Sequence, residues 1–154
     1  MEIERKFLVE DLPDLSNFDS VHLEQGYLAL AAEGGAEVRL RRKGDQPLLT
    51  VKGGTGEVRV EEEVELDPGA FESLWPLTEG RRVSKTRHLV PCGDLTIELD
   101  LYECDLDGLV TAEVEFSSEE EADRFEPPDW LGDEVTGDER YLNARLATSG
   151  APAP

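Results

Sequence analysis

Lysine is scarce in this chain, cysteine scarcer still, and no apolar run is long. Lysine occurs only at Lys6, Lys43, Lys52 and Lys85, which excludes the broad basic surface that grips nucleic acid. Fifteen Lys and Arg stand against 36 Asp and Glu, a formal charge of −21. Such a chain repels nucleic acid and anionic membranes unless its few cations cluster. A salt-loving source or a GC-rich genome would each produce this composition, and the sequence does not separate them. The two cysteines, Cys92 and Cys104, match no zinc or redox spacing and are expected as buried or half-buried thiols of a reducing cytosol. No apolar stretch approaches the ~20 residues of a membrane span, and the charged start Met1-Glu2-Ile3-Glu4-Arg5-Lys6 is unlike a signal peptide. A cytoplasmic protein with no membrane or nucleic-acid partner is therefore expected. His22 and His88 have no partner motif. Gly53-Gly54-Thr55-Gly56 lacks the lysine of a phosphate-binding loop and reads as a hairpin turn.

What the chain does have is alternation. Period-2 patterning predicts strands near 1–9, 21–31, 36–43, 47–53, 57–66, 81–90, 94–103 and 109–116. The connectors Glu33-Gly34-Gly35, Lys43-Gly44-Asp45, Pro91-Cys92-Gly93-Asp94 and Asp107-Gly108 carry the Gly and Asp of tight turns. Connectors this short make antiparallel neighbours, because a parallel crossover needs a dozen or more residues. Three stretches read as helices. Asp67-Pro68 opens 68–75 as N-cap and first residue; Ser117 with Glu120 resembles a capping box opening 118–126; Asp138 caps a last helix carrying Tyr141, Leu142 and Leu146. The expectation is one domain over 1–148 with a flexible tail, 149–154.

The charges on those strands share faces. Glu2, Glu4 and Lys6 alternate with apolar positions on the first strand, as do Arg39 and Arg41 on the third. Thr50 and Lys52 follow on the fourth, Arg59, Glu61 and Glu63 on the fifth, and Lys85 and Arg87 on the sixth. Glu98 and Asp100 lie on the seventh and Glu113 and Glu115 on the eighth. Arg5, Arg42 and Glu62 break the pattern by falling on the apolar face. A half-buried sheet with its charged face in water would explain each strand alone. The set is harder to explain that way, because the face is almost wholly ionic. Same-face neighbours sit ~7 Å apart, where a like-charged pair costs roughly 2 kcal/mol at an effective dielectric of about 20. An enclosed face of this kind needs a counterion. The cations suit a polyanion, and the acids suit hard divalent metals.

Glu2-Ile3-Glu4-Arg5-Lys6 matches the E-x-E-x-K signature of the CYTH superfamily, the triphosphate tunnel metalloenzymes. Further stretches resemble family motifs in family order: Gln25-Gly26-Tyr27-Leu28, Val38-Arg39-Leu40-Arg41, Thr50-Val51-Lys52-Gly53, Glu79-Gly80-Arg81-Arg82-Val83, Lys85-Thr86-Arg87, Ile97-Glu98-Leu99-Asp100, Glu113-Val114-Glu115-Phe116 and Asp138-Glu139-Arg140-Tyr141-Leu142-Asn143. The resemblance spans Met1 to about Leu146 and looks closest to short, single-domain bacterial members. It implies an α+β, mainly β fold: an eight-stranded antiparallel β-barrel with about three flanking helices. It also implies metal-dependent hydrolysis of inorganic triphosphate in the barrel lumen. Alternatives on the same fold are a thiamine-triphosphatase or a class IV adenylate cyclase-like activity, and beyond catalysis a polyphosphate- or nucleotide-binding module. Relatives often carry a basic residue where this chain has Glu139.

On this resemblance Lys6, Arg39, Arg41, Lys52, Arg59, Lys85 and Arg87 would cradle phosphate oxygens, arginine being apt because its fork matches phosphate geometry. Glu2, Glu4, Glu113 and Glu115 would hold Mg²⁺ or Mn²⁺, two ions per site. Glu61, Glu63, Glu98 and Asp100 would add metal or water contacts or pair with the cations. The catalytic set is then Glu2, Glu4, Lys6, Lys85, Glu113 and Glu115. The partner is a triphosphate-containing small molecule, and the protein a monomer or homodimer. Tyr27 is placed at the mouth of the site or in packing.

Overall fold

The computed structural model describes residues 3–30, 35–55 and 58–153. Eight strands appear where alternation predicts them, with ends shifted by a residue or two: β1 (Ile3–Leu8), β2 (Ser20–Ala29), β3 (Glu37–Lys43), β4 (Gln46–Thr55), β5 (Val58–Glu65), β6 (Arg82–Cys92), β7 (Leu95–Tyr102) and β8 (Val110–Phe116). They form one antiparallel sheet in the order β1-β8-β7-β6-β2-β3-β4-β5. The chain thus makes two meanders, β2 to β5 and β6 to β8, joined at the β2–β6 pair. Among the described residues β1 and β5 end the ladder without pairing to each other, so backbone hydrogen bonds do not close the expected barrel. The β5 edge carries Glu61, Glu62, Glu63 and Glu65, whereas β1 carries Glu4 with Arg5 and Lys6.

Gly53, Gly54 and Thr55 do not turn. They continue β4 opposite Val60, Arg59 and Val58, and the rest of that connector lies outside the described residues, as do Glu33 and Gly34. The turns at Gly44 (φ 60°) and Gly93 (φ 60°) use the left-handed conformation glycine allows.

The face opposite the charges carries the core. Phe7, Val9, Val90, Ile97, Leu99, Ala112, Val114 and Phe116 pack with Ala122 and Leu131. They lie beneath helix α2 (Glu119–Arg124) and the chain that follows it. Helix α1 (Pro68–Leu74) is capped by Asp67, whose Oδ2 accepts from Ala70 N at 3.2 Å. The α2 cap is Ser118 rather than Ser117: Ser118 Oγ accepts from Glu121 N at 3.1 Å. The run Ser117-Ser118-Glu119-Glu120-Glu121 fits the capping pattern in two registers, and only packing chooses between them. Asp138 caps a short 3₁₀ turn, Glu139–Tyr141, through Arg140 N. Helix α3 (Asn143–Ser149) starts after that turn, with no side-chain cap.

The cations that broke the alternation hold these helices. Arg5 donates to the carbonyls of Ala122 (2.9 Å) and Phe125 (3.2 Å) at the end of α2, and forks onto Glu134. Arg42 reaches Glu72 of α1 at 2.6 Å and lies over the Phe71 ring. Cations belong at helix C-termini, where carbonyls lack partners. Gly26 permits a close approach: a Cβ there would lie 2.4 Å from Thr78 Oγ1. Cys92 is half-buried as expected, but Cys104 is exposed. It opens the turn after β7 with φ 57°, which carries its side chain off the sheet.

Candidate active site

Strand register brings the predicted charges to one face. Across β1, β8 and β7, Glu4 stands opposite Glu115, Lys6 opposite Glu113, Glu113 opposite Glu98, and Thr111 opposite Asp100. On β6, Arg87 faces Asp100 and Lys85 faces Tyr102. Arg39 lies between Tyr27 and Thr50, and Arg41 between Gln25 and Leu48. On the far side Thr50 faces Glu63, and Lys52 faces Glu61. Glu2 lies outside the described residues, and for Arg59 only its place on β5 is described.

Burial shows that this face is enclosed at depth. Lys85 and Asp100 are each 1% exposed, and Gln25, Tyr27, Thr50, Tyr102 and Thr111 are buried beside them. Lys6, Arg39, Arg41, Arg87, Glu98 and Glu113 are half-buried, whereas Glu4, Glu61, Glu63 and Glu115 are exposed. Charged residues on a flat sheet would all be wet, so the sheet must curl around them. One end is stoppered: Leu146 of α3 packs with Val83, Tyr102 and Leu106. Above that plug Lys6 Nζ donates to the Tyr141 carbonyl at 2.6 Å and lies 3.2 Å from Glu113.

The deepest charges form a lopsided triad. Both oxygens of Asp100 are taken by Arg87, through Nε at 2.8 Å and Nη2 at 3.0 Å, and Lys85 Nζ also sits 2.8 Å from Oδ2. Arg87 Nη1 turns to Glu98 at 2.6 Å. Burial alone would raise the Asp100 carboxyl, but Lys85 and Arg87 outweigh it and hold it below the ordinary carboxylate range. Burial pushes Lys85 below its ordinary value; Asp100 restores part of it, and repulsion from Arg87 opposes that. Burial likewise lowers Arg41, with Arg39 and Arg87 adding repulsion. The Nε atoms of both Arg39 and Arg41 are buried with no hydrogen-bond partner. Arg41 finds Glu63 only at 3.8 Å, while that carboxylate bonds Thr50 at 2.9 Å. Lys52 stands 3.6 Å from Glu61. Buried, unpaired guanidinium donors are costly, and an anion with several oxygens would satisfy them together.

The acids fit a metal that arrives with its substrate. Glu4 stands opposite Glu115 and Glu98 opposite Glu113; directly opposed like charges need an offsetting cation, which Arg87 at 2.6 Å and Lys6 at 3.2 Å supply to the second pair. Among the described residues no three His, Cys, Asp or Glu side chains form a ready-made metal cage. Mg²⁺ is characteristically held by one or two carboxylates plus substrate phosphates, so opposed pairs are a sufficient donor set. Asp100 serves the cations instead, one of the two roles expected for it. Gln25, Tyr102, Thr111 and Asn143, none of them a charged residue, also line this region. Strand parity would have found Tyr102, two residues after Asp100, and Thr111, two before Glu113. Gln25 and Asn143 carry no charge, and only their places in the family-like stretches mark them. Tyr27 is packing: it is 1% exposed, and its hydroxyl accepts from Gln25 Nε2 at 3.1 Å.

A curled antiparallel sheet with cations deep on its inner face and carboxylates around them has the charge layout of a polyanion-binding protein. The chain belongs to the CYTH domain family, whose model matches residues 1–144. It is 48% identical over 150 residues to the inorganic triphosphatase of Nitrosomonas europaea, covering 96% of this chain and 97% of that protein. Identity with the inorganic triphosphatase of Acetivibrio thermocellus is 40% over 147 residues, covering 94% and 92%. A crystal structure of an inorganic triphosphatase superposes with a TM-score of 0.81 at 44% identity, covering 99% of this chain and 97% of the other. Among the described residues no helix is long and apolar enough to cross a membrane.

Proposed function

We propose that this protein hydrolyses inorganic triphosphate to pyrophosphate and phosphate, using Mg²⁺ or Mn²⁺. The observation that carries the reading is the pair of buried, unpartnered Nε donors on Arg39 and Arg41, set near Lys85 and Arg87, which share one carboxylate. The names of the two relatives support the same substrate. Arg39, Arg41, Lys85 and Arg87 would grip the phosphates at depth, Lys6 and Lys52 would extend the cradle, and Arg59 is proposed with them on its place in the sequence. Fixed cations spread over the chain neutralise oxygens that would otherwise repel the incoming water. Water adds to a terminal phosphorus, the bond to the bridging oxygen breaks, and pyrophosphate leaves.

Glu2, Glu4, Glu113 and Glu115 would hold two metal ions, with Glu61, Glu63 and Glu98 adding contacts directly or through water. When bound, the ions neutralise phosphate charge and acidify the attacking water. Nothing in this chemistry requires nucleic acid or a membrane, and a monomer or a homodimer would serve equally. The few aromatics leave no platform for a thiazolium or a base, which favours bare triphosphate over thiamine triphosphate or ATP.

The test is a phosphate-release screen over tripolyphosphate, thiamine triphosphate and ATP, with Mg²⁺, Mn²⁺ or EDTA. Metal-dependent release from tripolyphosphate above the others is expected. Tight binding without turnover would instead make the protein a binding module. Glu4→Gln removes a carboxylate while keeping the shape. Turnover of tripolyphosphate should fall at least about 100-fold, the scale typical of losing one electrostatic catalytic group, with the melting temperature preserved. Retention of most activity would remove Glu4 from the site.

A further inference from the structure

Lys85 is the most buried cation on the charged face, and the geometry points to Asn143 as the residue that positions it. The inference rests on the triphosphatase reading and deepens it. Lys85 Nζ has three hydrogens. One goes to Asp100 Oδ2 at 2.8 Å and one toward Asn143 Oδ1 at 3.3 Å, which leaves one for a phosphate oxygen. The same Asn143 oxygen accepts from the Tyr102 hydroxyl at 3.0 Å, and the Tyr102 ring lies 5.2 Å from Lys85 Nζ. Asn143 therefore holds two walls of the box around the ammonium: one by direct contact, the other by pinning the ring.

Two features show that the side chain is directed to the lysine rather than spent on its own helix. Asn143 is the first residue of α3, one position past the N-cap Leu142, where asparagine is a weak helix former and its carboxamide oxygen instead meets Lys85 Nζ and the Tyr102 hydroxyl. The helix is docked without it, through Leu146, which is 2% exposed against Val83, Tyr102 and Leu106. The carboxamide is also neutral. A carboxylate in its place would offer the same hydrogen bond but cancel the charge of Lys85. Asparagine fixes the ammonium while leaving its positive charge for the anion.

The test measures tripolyphosphate binding in EDTA by titration calorimetry, with melting temperatures and steady-state kinetics alongside. Asn143→Leu is nearly isosteric and cannot accept a hydrogen bond. It should weaken binding roughly ten-fold in the wild-type background, the scale of one hydrogen bond to a charged group. In a Lys85→Met background the same change should cost less than about two-fold, because the group it acts through is gone. Asn143→Asp should raise KM more than it lowers kcat. An equal loss in both backgrounds, a change in melting temperature alone, or wild-type KM in Asn143→Asp would overturn the assignment. Wild-type protein that does not bind tripolyphosphate would sink the underlying reading, whereas intact wild-type binding with no effect of Asn143→Leu sinks the assignment alone.

Discussion

Arg39 and Arg41 sit two residues apart on one strand face, each with a buried Nε that finds no partner, and Arg41 is held below its ordinary value by burial and by its neighbours Arg39 and Arg87. Side chains placed for packing would not tolerate this, and a polyanion accounts for it. Binding and stability should therefore respond oppositely to Arg39→Ala. The KM for tripolyphosphate should rise about 10- to 100-fold, as expected for charge-assisted hydrogen bonds of roughly 1.5–3 kcal/mol. The melting temperature of the free protein should stay level or rise, since a repulsion is removed. Unchanged affinity measured by calorimetry would take Arg39 out of the cradle. The arginines themselves were legible from the sequence because strand parity groups them. Their lack of partners was not, since it depends on what β2, β5 and β6 bring near them.

Whole elements are held to the sheet by cations on its apolar side. Arg5, Arg42 and Glu62 looked like errors in the alternation, yet Arg5 and Arg42 dock α2 and α1. The Arg5–Glu134 fork carries a pH dependence. Its hydrogen bond to Arg5, aided by Thr136, holds Glu134 below its ordinary value of 4.5. A depressed carboxyl stabilises the fold above that value, and the contribution fades as pH falls through the lower folded value. Glu134→Gln should therefore flatten the fall in melting temperature between about pH 5 and pH 3, as followed by circular dichroism. An unchanged acid slope would show that the pair adds nothing. At the β2 contact with the turn after α1, Gly26→Ala drives a Cβ to 2.4 Å from Thr78 Oγ1. Thr78 is fully buried and bonded to Arg82 and the Trp75 carbonyl, so it cannot move aside freely. Overpacking of this kind costs about 1–3 kcal/mol, visible in urea unfolding. A neutral result would mean that the turn shifts readily.

At the scale of the whole molecule, charge opposes compactness. A formal −21 favours expansion, and the exposed carboxylates Glu61, Glu62, Glu63 and Glu65 concentrate that repulsion along β5. Added salt should therefore raise the melting temperature of the free protein as the Debye length falls from about 30 Å at 0.01 M toward about 3 Å at 1 M. The same salt should weaken tripolyphosphate binding. With Mg²⁺, ligand at about 100 times Kd should stabilise the fold by about 2.7 kcal/mol. A melting temperature that falls with salt would contradict this balance of charges.

The sequence by itself determined the strands, the antiparallel order within each meander and, among the described residues, the face on which the charges stand. These follow from a period of two and short turns, which are local properties. The tertiary structure alone decided the rest: that β2 pairs with β6, that the sheet is left unzipped between β1 and β5, and that Ser118 and not Ser117 caps α2. It alone assigned Asp100 to two cations, and it alone carried Asn143, more than 50 residues away in sequence, onto Lys85. Each of these depends on which distant segments share space, and burial, not spacing, sets how much a charge or a hydrogen bond is worth once they do.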